Sequence, residues 1–226
     1  MKKNACCNLG SLNLSEFVDN PYTKDARFNF VKFAKAIEIA VEALDDIIDE
    51  NLERHALKEQ AENSKNYRNI GLGIMGYSNA LFKLGLTYGS DKAIEFTKEI
   101  FSDLLLIALE KSHELAKEKG MFPKCKPEEI VKSKIIQNLC KEGVLDHYDL
   151  EEFKKYGFRN CSLISIAPTG SIGTTLGISG GCEPEFALSY KRRTDNLKES
   201  YDVYCQSVSE YWDMTDSAID KGNIDS

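Results

Sequence analysis

Two adjacent cysteines, Cys6 and Cys7, stand close to the first residue and are the first side chains that could do chemistry. Small polar and apolar residues alternate after them in "NLGSLNL", and this period of two predicts a β-strand over residues 6–14. A thiol in such a strand could be nucleophilic or redox-active, although a single cysteine is more often a small buried hydrophobe. A disulfide between the two neighbours would be strained, so we expect each thiol to act separately.

A second candidate for chemistry is "IAPTGSIGTT", residues 166–175. The sequence predicts a strand that ends at Pro168, a tight turn through Thr169, Gly170 and Ser171, and a helix just after it. Free N–H groups at that helix start would point at one spot, beside several hydroxyl groups, and this arrangement binds phosphate. No Gly-Lys-Ser/Thr follows, so the turn is not a Walker loop. An ordinary turn before a capped helix is the alternative.

A third stretch, "IGLGIMGYSNALFKLGL" over residues 70–86, matches the glycine fingerprint of dinucleotide-binding proteins at Gly71, Gly73 and Gly76. The fingerprint has meaning only where a buried strand leads into the glycines. The polar residues 63–69 are unsuited to such a strand. We therefore interpret the stretch as a helix that packs closely through its small residues.

A fourth stretch, "GGCEPEF" over residues 180–186, places Glu183 beside a glycine-rich loop. The proline that follows holds this glutamate in an extended conformation. Its carboxylate could bind a polar ligand or simply be solvated.

The elements that must position these groups are mainly helical. Apolar residues at spacings of three and four predict a first helix over 29–54, and the same reasoning gives a second over 91–119 with Ser90 as its N-cap. Ile94, Phe101, Leu105 and Ala108 are the expected buried face of the second helix. Further helices are predicted at 127–143, 149–156 and 197–220, and "CSLISIA" over 161–167 predicts a buried strand.

Composition excludes several classes of protein. The 226-residue chain has a net charge of −7, which argues against a bulk nucleic-acid binder. It contains no apolar run of about 18 residues, and thus no predicted membrane span. The start resembles no secretory signal, and seven scattered cysteines without a framework favour free thiols in the cytoplasm. Without a CxxC pair, a structural zinc site is not expected.

Three stretches together resemble the catalytic subunit of ribonucleotide reductase, with the adenosylcobalamin-dependent type the most similar. They are "CNLGSLNLSEFV", "RNIGLGIMGYSNALFKLGLTYGS" and "LISIAPTGSIGTTLGISGGCEPEFALSYKRR", in this order along most of the chain. The resemblance implies an α/β fold that is part of a ten-stranded α/β barrel and mostly helical by residue count. Residues 1–226 would form a single incomplete catalytic barrel domain.

The resemblance also implies roles for individual residues. Cys7 matches one of the two thiols that reduce the ribonucleotide, while Cys6 is an extra neighbour. The Pro-Thr-Gly-Ser turn matches the loop that holds the substrate phosphates, largely through backbone N–H groups. The implied substrate contacts are Asn8, Pro168, Thr169, Gly170, Ser171, Ile172, Gly173 and Glu183.

The sequence departs from the family at the radical centre. In the family, a thiyl radical forms on another cysteine, in an Asn-x-Cys-x-Glu motif upstream of the strand that carries the match to Cys7. This sequence lacks that motif and the second reducing cysteine. We therefore expect a fragment that needs the missing half or a homo-oligomer, together with a thioredoxin-type reductant. The implied radical source is adenosylcobalamin, or alternatively a diiron partner subunit, and neither site is expected in this chain.

Two other hypotheses stay open on the sequence alone. One is a nucleotide-binding or regulatory module that keeps the loop but performs no catalysis. The other is a nonfunctional remnant, which should expose unpaired strand edges and aggregate.

Overall fold

The computed structural model describes residues 6–192 and 201–215, in which short strands alternate with longer helices. The strands are β1 Asn8–Asn13, β2 Val18–Asp19, β3 Arg27–Phe28, β4 Ile70–Met75, β5 Ser189–Arg192 and β6 Tyr201–Tyr204. The α-helices are α1 Phe30–Asn51, α2 Lys58–Tyr67, α3 Tyr77–Lys83, α4 Asp91–Lys119, α5 Pro127–Ile130, α6 Lys134–Lys141, α7 His147–Tyr156, α8 Gly170–Leu176 and α9 Gln206–Thr215, and Leu14–Phe17 form a 3₁₀ turn. This mostly helical α/β composition agrees with the sequence analysis.

Strand β4 is the centre of the extended structure, and all six of its residues are buried. On one side it pairs with β1, which confirms the strand predicted over 6–14. On the other side residues 162–165 run parallel to it, with a bridge between Leu72 and Ile164 and a 2.8 Å bond from the Leu72 N–H to the Leu163 carbonyl. The strand predicted over 161–167 therefore exists as a hydrogen-bonded extended segment, with one bridge rather than a full ladder.

The glycine stretch at 70–86 contradicts the helical interpretation. Residues 70–75 form β4, and Gly76, at a φ of 66°, precedes helix α3. A strand with both faces buried has no polar–apolar alternation, so periodicity alone did not distinguish it from a buried helix. The polar residues before it also form a helix, α2, and Arg68 adopts the left-handed conformation between the two elements.

The two long helices are confirmed, with one correction. Helix α1 spans Phe30–Asn51 and α4 spans Asp91–Lys119, and the Ser90 hydroxyl accepts a bond from the Ala93 N–H as an N-cap does. The expected face of α4 is wrong in part, because Ile94 is 47% exposed. The buried face instead contains Ala93, Phe96, Ile100, Leu104, Ala108 and Leu115.

Two of the later helices differ from expectation. The helix predicted over 127–143 is divided into α5 and α6, because the Ser133 side chain caps a new start by accepting from the Ile136 N–H. Helix α7 begins at His147, where Asp146 and Asp149 form a capping box. In place of one helix over 197–220, strand β6 is followed by α9, while residues 197–200 and 216–220 lie outside the described residues.

The chain divides into two compact units, each with its own core. The first contains residues up to Gly10, Ala34–Gly73 and Glu99–Ser165, and the second contains Ser11–Phe33, Ile74–Lys98 and the described residues from Ile166 onward. The first unit buries a cluster of Leu109, Phe122, Val131, Ile136, Leu145, Phe153 and Phe158. In the second unit the Phe28 ring packs edge-on against Phe33 and Phe96.

A buried ion cluster in the first unit fixes the starts of its extended segments. Asp45, on α1, is fully buried and accepts bonds from Arg68 at 2.9 Å and from Arg159 at 3.1 Å. Asn160 donates to the same carboxylate at 2.8 Å and to the Arg68 carbonyl at 3.2 Å. Because Arg68 precedes β4 and Asn160 precedes residues 162–165, one carboxylate holds both segments against α1.

The ladders of the described residues form three two-stranded sheets and no closed barrel. None of the helices in the described ranges is both long enough and apolar enough to cross a bilayer.

Candidate active site

Cys7 lies half-buried at the start of β1 in the first unit. Its sulfur is 3.2 Å from the point where a Cβ on Gly71 would stand, and that same point is 2.7 Å from the Leu9 Cδ2 and 2.8 Å from the Ser165 Cβ. Strands β1 and β4 can therefore approach closely only because Gly71 has no side chain. The first glycine of the fingerprint thus makes room for the cysteine strand.

The environment of Cys7 favours the protonated thiol. Burial raises the pKa of the Cys7 thiol above 9.0, and a hydrogen bond from the Ser162 hydroxyl opposes part of this rise. At neutral pH the group is therefore a thiol, which can donate hydrogen, rather than the thiolate that acts as a nucleophile. All seven cysteines are free thiols, including Cys6 beside it.

The Asn8 side chain bonds to helix α1, and the residue also lines a small cavity together with Cys6 and Asn69. Its Nδ2 donates to the Leu44 carbonyl on α1 at 3.4 Å, and its main-chain N–H donates to the Asn69 carbonyl at 3.3 Å. These contacts anchor the residue after Cys7, so any contact of Asn8 with a substrate remains a prediction.

The turn after Pro168 has the geometry that the sequence predicts, in the second unit. Helix α8 begins at Gly170, directly after Thr169. Within the described residues, the N–H groups of Gly170, Ser171 and Ile172 contact no acceptor, and these three residues are exposed. The first N–H groups of a helix carry partial positive charge and have no partner within the helix.

Thr169 is in the left-handed region, at a φ of 49°. A β-branched residue rarely adopts this conformation, which costs roughly 1–2 kcal/mol. Its hydroxyl accepts a bond of 3.0 Å from the Gly181 N–H, and its carbonyl accepts one of 2.7 Å from the Gly173 N–H. Strained residues of this kind cluster at ligand-binding turns.

The loop over residues 177–181, for which the sequence analysis assigned no individual roles, forms the wall behind this turn. A Cβ on Gly173 would be 2.9 Å from the Ile178 carbonyl oxygen, and one on Gly180 would collide with the Pro168 carbonyl oxygen. Backbone packs directly on backbone at both positions. The density of glycines in this part of the sequence was the available signal for such close packing.

Glu183 is exposed at the end of this wall, and its main-chain N–H donates to the Gly180 carbonyl at 2.9 Å. Glu185, two residues on, is half-buried, and burial raises the pKa of its carboxyl group. Glu185 also lines a cavity of about 520 Å³ beside α8, together with Gly173, Thr174 and Tyr190. This cavity gives the second unit a concave surface next to the turn.

Two groups of potential metal ligands among the described residues already have partners within the protein. Asp45, Asp46 and Asp49 form the one carboxylate cluster found in the described ranges, but Asp45 and Asp49 already accept from Arg68. His113 is buried with its ring against Phe153 and Phe158, and its Nδ1 is 2.8 Å from the Gly157 carbonyl oxygen. The His113 ring is therefore already engaged by its neighbours within the first unit.

The structure shows an α/β protein with a half-buried thiol directly before strand β1 in one unit and a turn that precedes helix α8 in the other. Comparison with protein families is more specific, because the family described as ribonucleotide reductase, barrel domain, matches residues 1–221. The chain belongs to this family.

Individual relatives agree with the family. The ribonucleoside-diphosphate reductase subunit alpha of Chlamydia muridarum is 32% identical over 198 residues, which cover 80% of this chain and 18% of the relative. The vitamin B12-dependent ribonucleoside-diphosphate reductase of Thermoplasma acidophilum is 32% identical over 197 residues, 87% of this chain and 22% of the relative. The ribonucleoside-diphosphate reductase large chain of Neurospora crassa is 32% identical over 194 residues, which cover 84% of this chain and 20% of the relative. The chain spans about a fifth of the length of these relatives.

Proposed function

We propose that this chain contributes the reducing cysteine and the substrate-phosphate loop to the reduction of ribonucleotides to deoxyribonucleotides. Cys7 is the reductant, and the residues from Pro168 to Gly173 hold the phosphates, with Asn8 and Glu183 as further substrate contacts. The extended segments would form part of a ten-stranded α/β barrel. The single observation that carries the proposal is the turn, where three N–H groups that meet no acceptor among residues 6–192 and 201–215 follow a strained threonine in a member of this family.

The chemistry requires a dithiol. Two cysteine thiols lose two electrons and two protons and become a disulfide, the 2′ C–O bond breaks, a C–H bond forms at that carbon, and the oxygen leaves as water. Cys7 would be one of the two thiols. Its burial suits this role, because a thiol kept protonated at neutral pH holds the hydrogen that the reaction consumes. A thioredoxin-type dithiol would then reduce the disulfide.

The phosphates would be held by backbone. The N–H groups of Gly170, Ser171 and Ile172 point out of one helix start, and an anion bound there meets both hydrogen-bond donors and the positive end of the helix. The chain carries a net charge of −7, so this binding depends on a local site rather than on attraction by the whole molecule.

The proposal leaves the radical to a cofactor or a partner subunit. Adenosylcobalamin would supply a carbon-centred radical, whereas a diiron subunit would oxidise the radical-bearing cysteine through electron transfer. The relatives include proteins named as vitamin B12-dependent and proteins not so named, so the radical source stays undecided between the two. Cys7 and the loop have the same roles in both cases.

A complementation assay tests the proposal. The chain is mixed with a protein that carries the Asn-x-Cys-x-Glu motif and the second reducing cysteine, and deoxynucleotide is measured with a dithiol reductant present. We expect product with the natural chain and with Cys6→Ser, and none above background with Cys7→Ser. Nucleotide binding without product for any complementing partner would favour the noncatalytic module, and absence of binding would favour the remnant.

A further inference from the structure

Asn69 forms hydrogen bonds with the residues on both sides of Cys7 in the chain. Its side-chain Nδ2 donates to the Cys6 carbonyl at 3.4 Å, and its own carbonyl accepts from the Asn8 N–H at 3.3 Å. The two peptide groups that flank Cys7 are therefore both bonded to one residue. Fixing both peptide groups fixes the dihedral angles of Cys7 and so the direction of its Cα–Cβ bond.

Ser162 holds Asn69 in this orientation. The Ser162 Oγ is 3.3 Å from the Asn69 Oδ1 and 3.0 Å from the Ile70 carbonyl oxygen, and the Ser162 side chain opposes part of the rise that burial gives the pKa of the Cys7 thiol. A hydroxyl has one hydrogen to donate, so it satisfies one of these acceptors at a time. When the Oδ1 of Asn69 accepts from Ser162, the Nδ2 faces the Cys6 carbonyl.

Both residues belong to segments that the fold already fixes. Asn69 follows Arg68, and Ser162 follows Asn160 by two residues, so both lie next to the ion cluster around Asp45. The first unit thus carries a continuous set of bonds from buried Asp45 to the strand of Cys7. The sequence analysis gave neither Asn69 nor Ser162 a role, although both lie in stretches that it quoted, because a single polar residue carries no chemical signal of its own.

We propose that Asn69 and Ser162 are positioning residues that fix where the Cys7 sulfur points. Their importance for catalysis rests on the proposed function, whereas their effect on the thiol does not. Asn69 holds the backbone, and Ser162 both orients Asn69 and offers a hydroxyl to the sulfur.

The test is the pH profile of Cys7 alkylation in the full 226-residue chain, measured with iodoacetamide and peptide mass spectrometry. Cys125, in the same unit, is the internal reference. In Ser162→Ala the midpoint of the profile should move to higher pH, which slows alkylation near pH 8 by roughly threefold to tenfold, since each pKa unit changes the thiolate fraction tenfold. Ser162→Thr keeps the hydroxyl and should restore the natural midpoint.

Asn69→Ala tests the hydrogen bond from the Asn69 side chain to the residue before Cys7. Loss of the bond to the Cys6 carbonyl should raise the plateau rate of Cys7 alkylation by about twofold to tenfold, the factor expected for one hydrogen bond. Unchanged midpoint and plateau in the two alanine variants would overturn the inference. Equal changes at Cys7 and Cys125 would also overturn it, because they would show a general loosening of the unit. The assay needs no partner and no radical, so its outcome is separate from that of the complementation assay.

Discussion

Cys7 and Thr169 show how single residues acquire special properties from their neighbours. The Cys7 sulfur is covered by packing over Gly71, and its burial favours the thiol over the thiolate. Thr169 is held in a left-handed conformation by bonds from the N–H groups of Gly173 and Gly181. Each property can be measured separately from catalysis.

The ionisation of Cys7 gives the first prediction. Since its pKa is raised above 9.0, the thiolate fraction at pH 8 is lower in the folded chain than in the unfolded chain. We expect the midpoint of Cys7 alkylation to lie at higher pH in the native protein than in urea, where the pKa returns toward its ordinary value. A native midpoint below the midpoint in urea would contradict the account, whereas steric protection alone would change the plateau and leave the midpoint in place.

The hydroxyl of Thr169 gives the second prediction. Thr169→Val keeps the shape of the side chain but leaves the buried Gly181 N–H without its acceptor, which costs about 1–3 kcal/mol. We expect the free energy of unfolding in urea to fall by this amount and ribonucleotide binding, measured by calorimetry, to weaken. Thr169→Ser is the matched control, because it keeps the oxygen. If valine and serine had equal effects, the bond to Gly181 would not be what holds the turn.

At the scale of elements, the close contact of β1 and β4 explains Gly71, the first glycine of the stretch that matches a dinucleotide fingerprint. Gly71→Ala would place a methyl group within 2.8 Å of Leu9 and Ser165 atoms, and such overpacking costs about 1–3 kcal/mol. We expect a lower unfolding free energy and faster Cys7 alkylation. Gly10→Ala, where the nearest atom is 3.4 Å away on Leu44, is the matched control in the neighbouring strand and should be milder. Equal effects at both positions would refute the packing argument.

The ion cluster gives a second prediction at this scale. Asp45→Ala removes a buried acceptor of Arg68, Arg159 and Asn160, while Asp49 remains as a second carboxylate for Arg68, so the loss of buried hydrogen bonds costs about 1–3 kcal/mol. Its neighbour Asp46 is exposed and pairs with Lys119, so Asp46→Ala should cost about 1 kcal/mol or less. Urea unfolding followed by circular dichroism measures both. Similar losses in the two variants would show that the cluster does not hold the extended segments.

These elements also show how far sequence reasoning reaches. Helices α1 and α4 were predictable, because long amphipathic stripes report one buried face. Strand β4 was not predictable, because six consecutive buried residues give no periodic signal. The helix predicted over 127–143 missed the division at Ser133, where a new helix begins. In the site, the turn after Pro168 was predictable from its residue types. The contacts of Asn69 and Ser162 were not, because they depend on pairing between residues more than sixty positions apart.

At the scale of the whole molecule, the proposal assigns Cys7 and the turn after Pro168 to a reaction that needs more groups. It matches the barrel-domain family over residues 1–221 and spans about a fifth of its relatives. The proposed reaction also needs a second thiol and a radical source besides these groups. The central claim is therefore that Cys7 supplies electrons when the set is complete.

The most direct measurement of that claim is the redox state of Cys7 after turnover. The complemented enzyme is given a ribonucleotide without external reductant, quenched with acid and alkylated, and Cys7 is followed by peptide mass spectrometry alongside the deoxynucleotide formed. We predict that Cys7 is lost to a disulfide in proportion to product, while Cys6 remains alkylatable. Product formed while Cys7 stays fully alkylatable would contradict the account.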